Sequence, residues 1–442
     1  MNLNRYEFLI GAFKAALGAA DPRHILPTGL AEIFREPLKG RVLVLGAGKA
    51  AASMAQALEG YAKLHWPDAQ LDGLVITRYG HCTPTSHIRV VEAGHPVPDD
   101  AGMAAAAEIL RLVQSLQPND HLIALISGGG SSLLTLPASG LSIEDLRQTT
   151  QALLRCGAPI GDMNIVRKHL SAILGGHLAR EAHRCGAQVD AFLISDVTGD
   201  HPSSIASGPC APDPSTFADA LRIFENYGLG EAQIPKAVLD YLRDGALGKH
   251  PETPKEGDAV FTRTRNHLLA SAHASLEAAA TFCESHGVIP VSLGDTVMGE
   301  ARDVALMQAS IAREVVFYDR PFKKPVALLS GGECTVTIPH GASGRGGRCS
   351  EFLLSLFAHT GDLQTLSALA ADTDGIDGSE QNAGAWFTPE TRSLEGADIP
   401  LAKTSLSQHD SYGFFANVGT LLHTGPTLTN VNDFRILLID NG

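Results

Sequence analysis

Basic charge is scarce in this chain: 34 Lys and Arg stand against 48 Asp and Glu, a formal net charge of −14 over 442 residues. No Lys/Arg run forms the basic stripe that a nucleic acid or an anionic membrane surface requires, so neither is an expected partner. Long apolar runs are missing as well, because no stretch approaches the roughly 18 residues of a membrane span. The opening Met1-Asn-Leu-Asn-Arg-Tyr-Glu7 lacks a basic region followed by an apolar one. Cysteine is sparse and unpatterned. Cys82, Cys156, Cys185, Cys210, Cys283, Cys334 and Cys349 show no C-x-x-C spacing, which argues against a zinc site or a disulfide framework and for free thiols in a reducing compartment. The expectation is a soluble, cytoplasmic protein. Walker A, G-x-S-x-G and H-E-x-x-H patterns are absent too, which removes the ordinary P-loop ATPase, the α/β-hydrolase and the zincin.

The chain is rich in turn formers, with 45 Gly and 24 Pro, while apolar residues make up 44% and charged ones 19%. That balance suits a compact α/β enzyme with many tight turns. Strand-like runs at Val42–Gly46, Leu74–Thr77, Val90–Gly94, Leu122–Ser127 and Phe192–Ser195 alternate with helix-like stretches at Ala50–Glu59, Ala101–Gln117 and Ile143–Leu154. The alternation predicts a doubly wound, Rossmann-like parallel sheet covered by helices on both faces. Residues 244–258 are polar, broken by Gly and Pro, and read as a linker. Two α/β domains follow, 1–248 and a smaller 259–442, the second with a helix over His267–His286, strands at Val288–Leu293, Val326–Ser330, Ala368–Ala371 and Arg435–Asp440, and a helix over Glu300–Phe317.

Three apolar runs open into Gly/Ser-rich turns: Val42–Ala51, Ile123–Ser132 and Val326–Thr335. Strand-to-helix turns of this kind expose consecutive N–H groups to a phosphate or carboxylate, and in doubly wound sheets ligands collect beyond the strands' carboxyl ends. The candidate ligand groups are therefore Gly46, Gly48 and Lys49 in the first turn, Ser127, Gly128, Gly129, Gly130, Ser131 and Ser132 in the second, and Ser330, Gly331, Gly332 and Glu333 in the third. The segment from Gly341 to Arg348 adds Arg345 and Arg348, whose guanidinium forks suit paired hydrogen bonds to an anion. The echo between the second and third turns is too short to establish a repeat.

Gly46-Ala-Gly-Lys-Ala-Ala51 also fits the dinucleotide fingerprint G-x-G-x-x-A. A Rossmann site asks for an acid at the end of the next strand, but that strand ends in Thr77-Arg78, which weakens a nicotinamide cofactor. Asp196 stands just past a strand and Asp200 in the following Gly turn, where carboxylates can hold Mg²⁺ or take a proton from a hydroxyl; Asp is also common in turns for conformational reasons. The acidic turn Ala371–Gly378 starts like a calcium loop but has Asn382 and Ala383 where the twelfth-position Glu would fall, so it is not an EF-hand. In Gly94-His-Pro-Val-Pro-Asp99, Asp99 or Asp100 caps the next helix, and His95 is as well explained by structure as by catalysis.

In sum these residues resemble the class II glycerate kinases, the MOFRL-domain family often labelled hydroxypyruvate reductase. The resemblance rests on nine ordered motifs: GAGKA (46–50), AGHPVPD (93–99), LISGGGSSL (125–133), VRKHLSAILGGHLA (166–179), SDVTGDHPSSIASGP (195–209), LLSGGECTV (328–336), GGRCSE (346–351), TDGIDG (373–378) and TGPTLTNVND (424–433). It implies an interdomain active site, ATP and Mg²⁺, and phosphorylation of the 2-hydroxyl of glycerate or a closely related short hydroxy acid. Lys49 and Arg348 match the family's two basic site residues; Asp196 is the candidate base and Asp200 or Asp374 the metal partner. The oligomeric state, a homo-oligomer included, stays open.

The chain departs from the family pattern at Leu174 and His177, where Lys and Arg are usual, at Cys349 and Ser350 after GGR, and at Asp372, where Gly usually stands. These departures raise the expectation of an acceptor other than glycerate. Two further functions stand beside the kinase: an NAD(P)H-dependent hydroxypyruvate reductase and a non-catalytic small-acid binding protein.

Overall fold

Val42 through Ala47 are all buried, as a central strand of a parallel sheet must be when helices cover both of its faces. The computed structural model describes residues 3–339 and 344–441; Gly341, Ala342 and Ser343, with which the arginine-bearing segment opens, lie outside the described residues. The described chain divides into two compact units, Pro22–Leu269 and Met1–Asp21 with Ala270–Gly442.

In the unit Pro22–Leu269, six strands are found: β1 (Gly40–Ala47), β2 (Ala69–Arg78), β3 (Ile88–Ala93), β4 (His121–Ile126), β5 (Gln188–Ile194) and β6 (Thr264–Ala270). They lie in the order β3-β2-β1-β4-β5-β6, with β1 parallel to both β2 and β4 and the pairs β2/β3 and β4/β5 also parallel. This is the expected doubly wound sheet, and its strand order reverses between β1 and β4, where such sheets open a crevice. Ala106, Ile109 and Val113 of the helix Asp100–Gln114 pack with Leu43, Leu45 and Leu122 in the core. That helix starts where expected: the Asp99 side chain accepts from the Gly102 amide at 2.9 Å.

The sequence stretch expected to be helical from His267 is strand as far as Ala270. Its helix, Ala272–Ser285, begins only after Ser271, which caps it by accepting from the Ala274 amide. Residues 244–258 thus lead back into the first sheet, and the chain passes to the other unit after Leu269.

The other unit holds β7 (Ile289–Ser292), β8 (Val326–Ser330), β9 (Leu366–Asp372), β10 (Gly384–Phe387), β11 (Leu421–Leu422) and β12 (Asp433–Ile439), in the order β11-β10-β9-β12-β8-β7. The sheet is mixed: β7 and β8 are parallel, whereas β12 runs antiparallel between β8 and β9. Successive residues of β12 face opposite layers. Leu437 meets Phe352, Leu356 and Val304 of the helices Arg348–His359 and Ala301–Tyr318, while Ile436 and Leu438 meet Phe8, Phe13, Leu276 and Cys283 of the helices Arg5–Gly18 and Ala272–Ser285. The first helix of the chain therefore completes the core of the C-terminal sheet.

Candidate functional site

The first two Gly turns lie side by side at the reversal between β1 and β4, and they bond mainly to each other. Lys49 N donates to Gly128 O at 2.9 Å, Ser127 N to Ala47 O at 3.1 Å, and Ala50 N to Ser127 Oγ at 3.0 Å. Gly48 sits at φ 140°, and a Cβ there would lie 2.1 Å from Ser127 Oγ. Of the amides expected to cradle an anion in the first turn, those of Lys49 and Ala50 are thus engaged by the second turn and that of Gly48 by Ile76 O. Gly128 and Gly129 differ, since their amides have no acceptor among the described residues. Gly129 adopts φ 80°, and a Cβ on it would meet His95 Nε2 at 2.8 Å and Lys49 Cγ at 3.5 Å. Lys49 and His95 therefore converge on this one backbone point, which gives His95 a place at the site that its sequence context left open.

Around that point the backbone is unusual. Ala206, Ser207 and Gly208 are consecutive left-handed residues, at φ 49°, 56° and 57°, a conformation that costs of order 1–3 kcal/mol per non-Gly residue and gathers at functional sites. It is held by Ser131 Oγ against Ser207 Oγ at 2.8 Å, by Gly175 N to Ser207 O at 2.9 Å and by Gly176 N to Gly208 O at 2.7 Å. Ser132 Oγ turns inward to Gly129 O, and a Cβ on Gly130 would meet Ala206 Cβ at 2.6 Å, so Gly130 brings the two loops together. Asp196 is half-buried just beyond β5, and Asp200 follows in the same turn with φ 53°.

In the other unit Ser330 ends β8 and accepts from Gln308 Nε2 at 3.1 Å, Gly331 N donates to Gly294 O at 2.9 Å, and a Cβ on Gly332 would lie 2.4 Å from Val297 N. This third turn packs against the chain that follows β7. Arg348 opens the helix Arg348–His359 and is surrounded by carboxylates: Nε meets Asp433 at 2.7 Å, one terminal nitrogen Glu333 at 2.6 Å and the other Asp372 at 2.9 Å. Those charges hold its pKa above the ordinary arginine value against the opposing effect of burial. Three of its five N–H bonds are committed, so the open anion fork expected from sequence is partly closed. The Arg345 guanidinium lies over the Tyr412 ring, 4.7 Å from the centroid. Asp374 is buried in its turn, its Oδ1 accepting from Ile376 N and its own amide donating to Asp372. Among the described residues no group of three or more His, Cys, Asp or Glu is arranged around a metal position.

Sequence reasoning missed Asp377 and passed over Asp433 and Arg435. Asp377 is fully buried and accepts from the amides of Cys349 and Ser350 at 2.9 and 2.8 Å, clamping the helix that carries Arg348. Burial pushes its carboxyl up to about 6. The signal available was the second Asp-Gly pair of TDGIDG, which reads as a turn until its partner is known.

The departures from the family pattern are mostly inward-facing. Leu174 belongs to the apolar core and Cys349 is wholly buried. Ser350 Oγ bonds to Ser411 Oγ and Gly347 O. His177 is half-buried, with its Nδ1 3.1 Å from an Arg180 nitrogen, and burial followed by that charge pushes its pKa down to about 3. Asp372 differs from these, because it contributes directly to the Arg348 cluster.

The chain matches the MOFRL family over residues 326–433 and a domain of unknown function, DUF4147, over residues 8–243. It is 46% identical over 429 residues to an Agrobacterium vitis protein named "Putative hydroxypyruvate reductase", covering 97% of this chain and 93% of that one. It is 41% identical over 403 residues to the glycerate 2-kinase of Pyrococcus horikoshii, covering 91% and 88%. The crystal structure of a glycerate kinase from Thermotoga maritima superposes with a TM-score of 0.84 at 36% identity, covering 98% of this chain and 99% of that one.

Proposed function

This chain belongs to the MOFRL family that includes the glycerate 2-kinases, and from that premise we propose that it transfers a phosphoryl group from ATP to the 2-hydroxyl of glycerate. The observation that carries the reading is the convergence of Lys49 with the Ser127–Ser132 turn at the reversal between β1 and β4. Amides at Gly128 and Gly129 without an acceptor among the described residues, beside the Lys49 side chain, fit the oxygens of a phosphate chain. Lys49 neutralises charge developing on the transferred group. Asp196 is the base we assign to the 2-hydroxyl proton. Arg348 keeps two N–H bonds beyond its three carboxylate contacts, and to these we assign an anionic oxygen of a ligand.

Mg²⁺ takes one or two protein carboxylates and fills its octahedron with phosphate oxygens and water. Hard carboxylate donors suit it; Asp200 is our first assignment and Asp374 the separate alternative. When bound, the ion neutralises phosphate charge. Because Leu174, Cys349 and Ser350 face inward, three of the five departures give no reason to look beyond glycerate for the acceptor. The free state of all seven cysteines and the lack, among the described residues, of a helix long and apolar enough to cross a membrane accord with a cytoplasmic setting.

A hydroxypyruvate reductase is the second reading, motivated by a relative's name and the Gly46-Ala-Gly48 match. It is disfavoured by Gly48, which packs on Ser127 where a dinucleotide site brings pyrophosphate to the backbone. Purified protein given ATP, Mg²⁺ and D-glycerate should release ADP, whereas oxidation of NAD(P)H by hydroxypyruvate without any kinase turnover would overturn the proposal. Thermal stabilisation by glycerate with neither turnover would leave a binding protein.

A further inference from the structure

Asp433 opens β12, and because β12 is antiparallel to β8 and β9, its start lies at the edge where both of those strands end. Asp433 is in register with Asp372, and Arg435 with Ser330. The Asp433 carboxylate is wholly buried and bears an arginine on each oxygen: Oδ1 accepts from Arg348 Nε at 2.7 Å, and Oδ2 accepts from Arg435. Arg435, itself fully buried, donates to Gly331 O at 2.8 Å and lies over the Phe352 ring. One carboxylate therefore ties the Gly331–Gly332 turn to the guanidinium of Arg348.

The three acids on Arg348 are not equivalent. Glu333 is 57% exposed on its side chain and its ion pair is open to solvent, so it can yield to a competing anion at little cost. Asp433 cannot turn away without leaving Arg435 buried and unpaired. We propose that Asp433 is a positioning residue for the kinase reaction, holding Nε so that the remaining N–H bonds of Arg348 keep one direction, while Arg435 fixes the neighbouring turn. This rests on the reading of Arg348 as a ligand-binding group.

The test is a set of variants assayed with D-glycerate and ATP: Asp433→Asn, Arg348→Ala, the two combined, and Asp433→Asn with Arg435→Gln. Misdirecting Arg348 should lower kcat in Asp433→Asn by about 10²-fold, the order that small misplacements of a positioned group produce. The combination should be no worse than Arg348→Ala alone, since Asp433 acts through that side chain. Losses that multiply instead would overturn the proposal. If Asp433→Asn folds poorly because Arg435 loses its counter-charge, the neutral Asn/Gln pair restores the fold; activity should stay low, and its recovery would show that Asp433 serves Arg435 only. Wild-type protein in the same assay separates the two levels: no ADP release sinks the kinase reading, whereas active wild type with additive variants sinks only the positioning role.

Discussion

Lys49 was expected at the site because a lysine in a Gly turn after a buried strand can point into a cleft rather than the core, and its side chain lies beside Gly129 and His95. Lys49→Ala should cost at least about 10²-fold in kcat, the order seen on removing one preorganised charge-stabilising donor, with an unchanged melting temperature; near-normal turnover in a folded variant would remove it from the mechanism. Leu174 illustrates the opposite case. In sequence a Leu where a family carries Lys looks like an altered ligand contact, but the side chain is 2% exposed within the apolar core. Burying an ammonium there costs heavily unless it is neutralised. Leu174→Lys, alone or with His177→Arg, should therefore lower the melting temperature by several degrees and fail to improve kcat/KM for glycerate; a variant as stable as wild type with higher kcat/KM would restore the altered-acceptor idea. What hid this in the sequence is that backbone position says nothing about which way a side chain turns.

Strands and their Gly turns were readable because buried parallel strands are unbroken apolar runs, and β1, β4 and β8 all have that form. Short or half-exposed elements were not. β6 carries Arg265, Asn266 and His267, polar because Arg265 and His267 pair with the buried Asp190 at 2.8 and 2.6 Å, so its pattern read as the start of a helix. The loop-to-helix clamp at Asp377 was equally hidden, since its partners are backbone amides 27 and 28 residues away. That clamp has a pH signature. The folded value of about 6 lies above the ordinary 3.8, so the fold binds this proton more tightly than the unfolded chain does. The resulting stability is full below about pH 4 and is lost as pH rises through about 6. Asp377→Asn has no such proton, so the unfolding free energy of wild type minus that of the variant should decline from pH 4 to pH 6 in urea titrations. A flat difference would mean that Asp377 does not titrate in that window.

At the scale of the whole molecule the alternation of strands and helices announced α/β architecture, but not that the chain starts in one compact unit, builds another over Pro22–Leu269, and returns. Nothing in the Arg5–Gly18 segment names its partner, because an apolar helix face fits any complementary sheet. The fragment Pro22–Leu269 should unfold cooperatively by itself. Ala270–Gly442 should not, as Leu369, Ile436 and Leu438 lose the cover of Phe8 and Phe13; fusing residues 1–21 to it should restore a cooperative melt by circular dichroism. A cooperative melt of Ala270–Gly442 without that helix would refute the assignment.

The same connectivity sets an order of events at the ribosome. Helix Arg5–Gly18 emerges before the unit Pro22–Leu269, yet the strands that bury Phe8 and Phe13 follow those 248 residues. At roughly 5–20 residues per second, translation leaves that greasy face waiting on the order of twenty to eighty seconds before β12, the strand of Ile436 and Leu438, exists. The nascent chain must keep the Phe8, Leu9 and Phe13 face out of the core of the unit being synthesised, so a face that waits uncovered during synthesis ends wholly inside the protein.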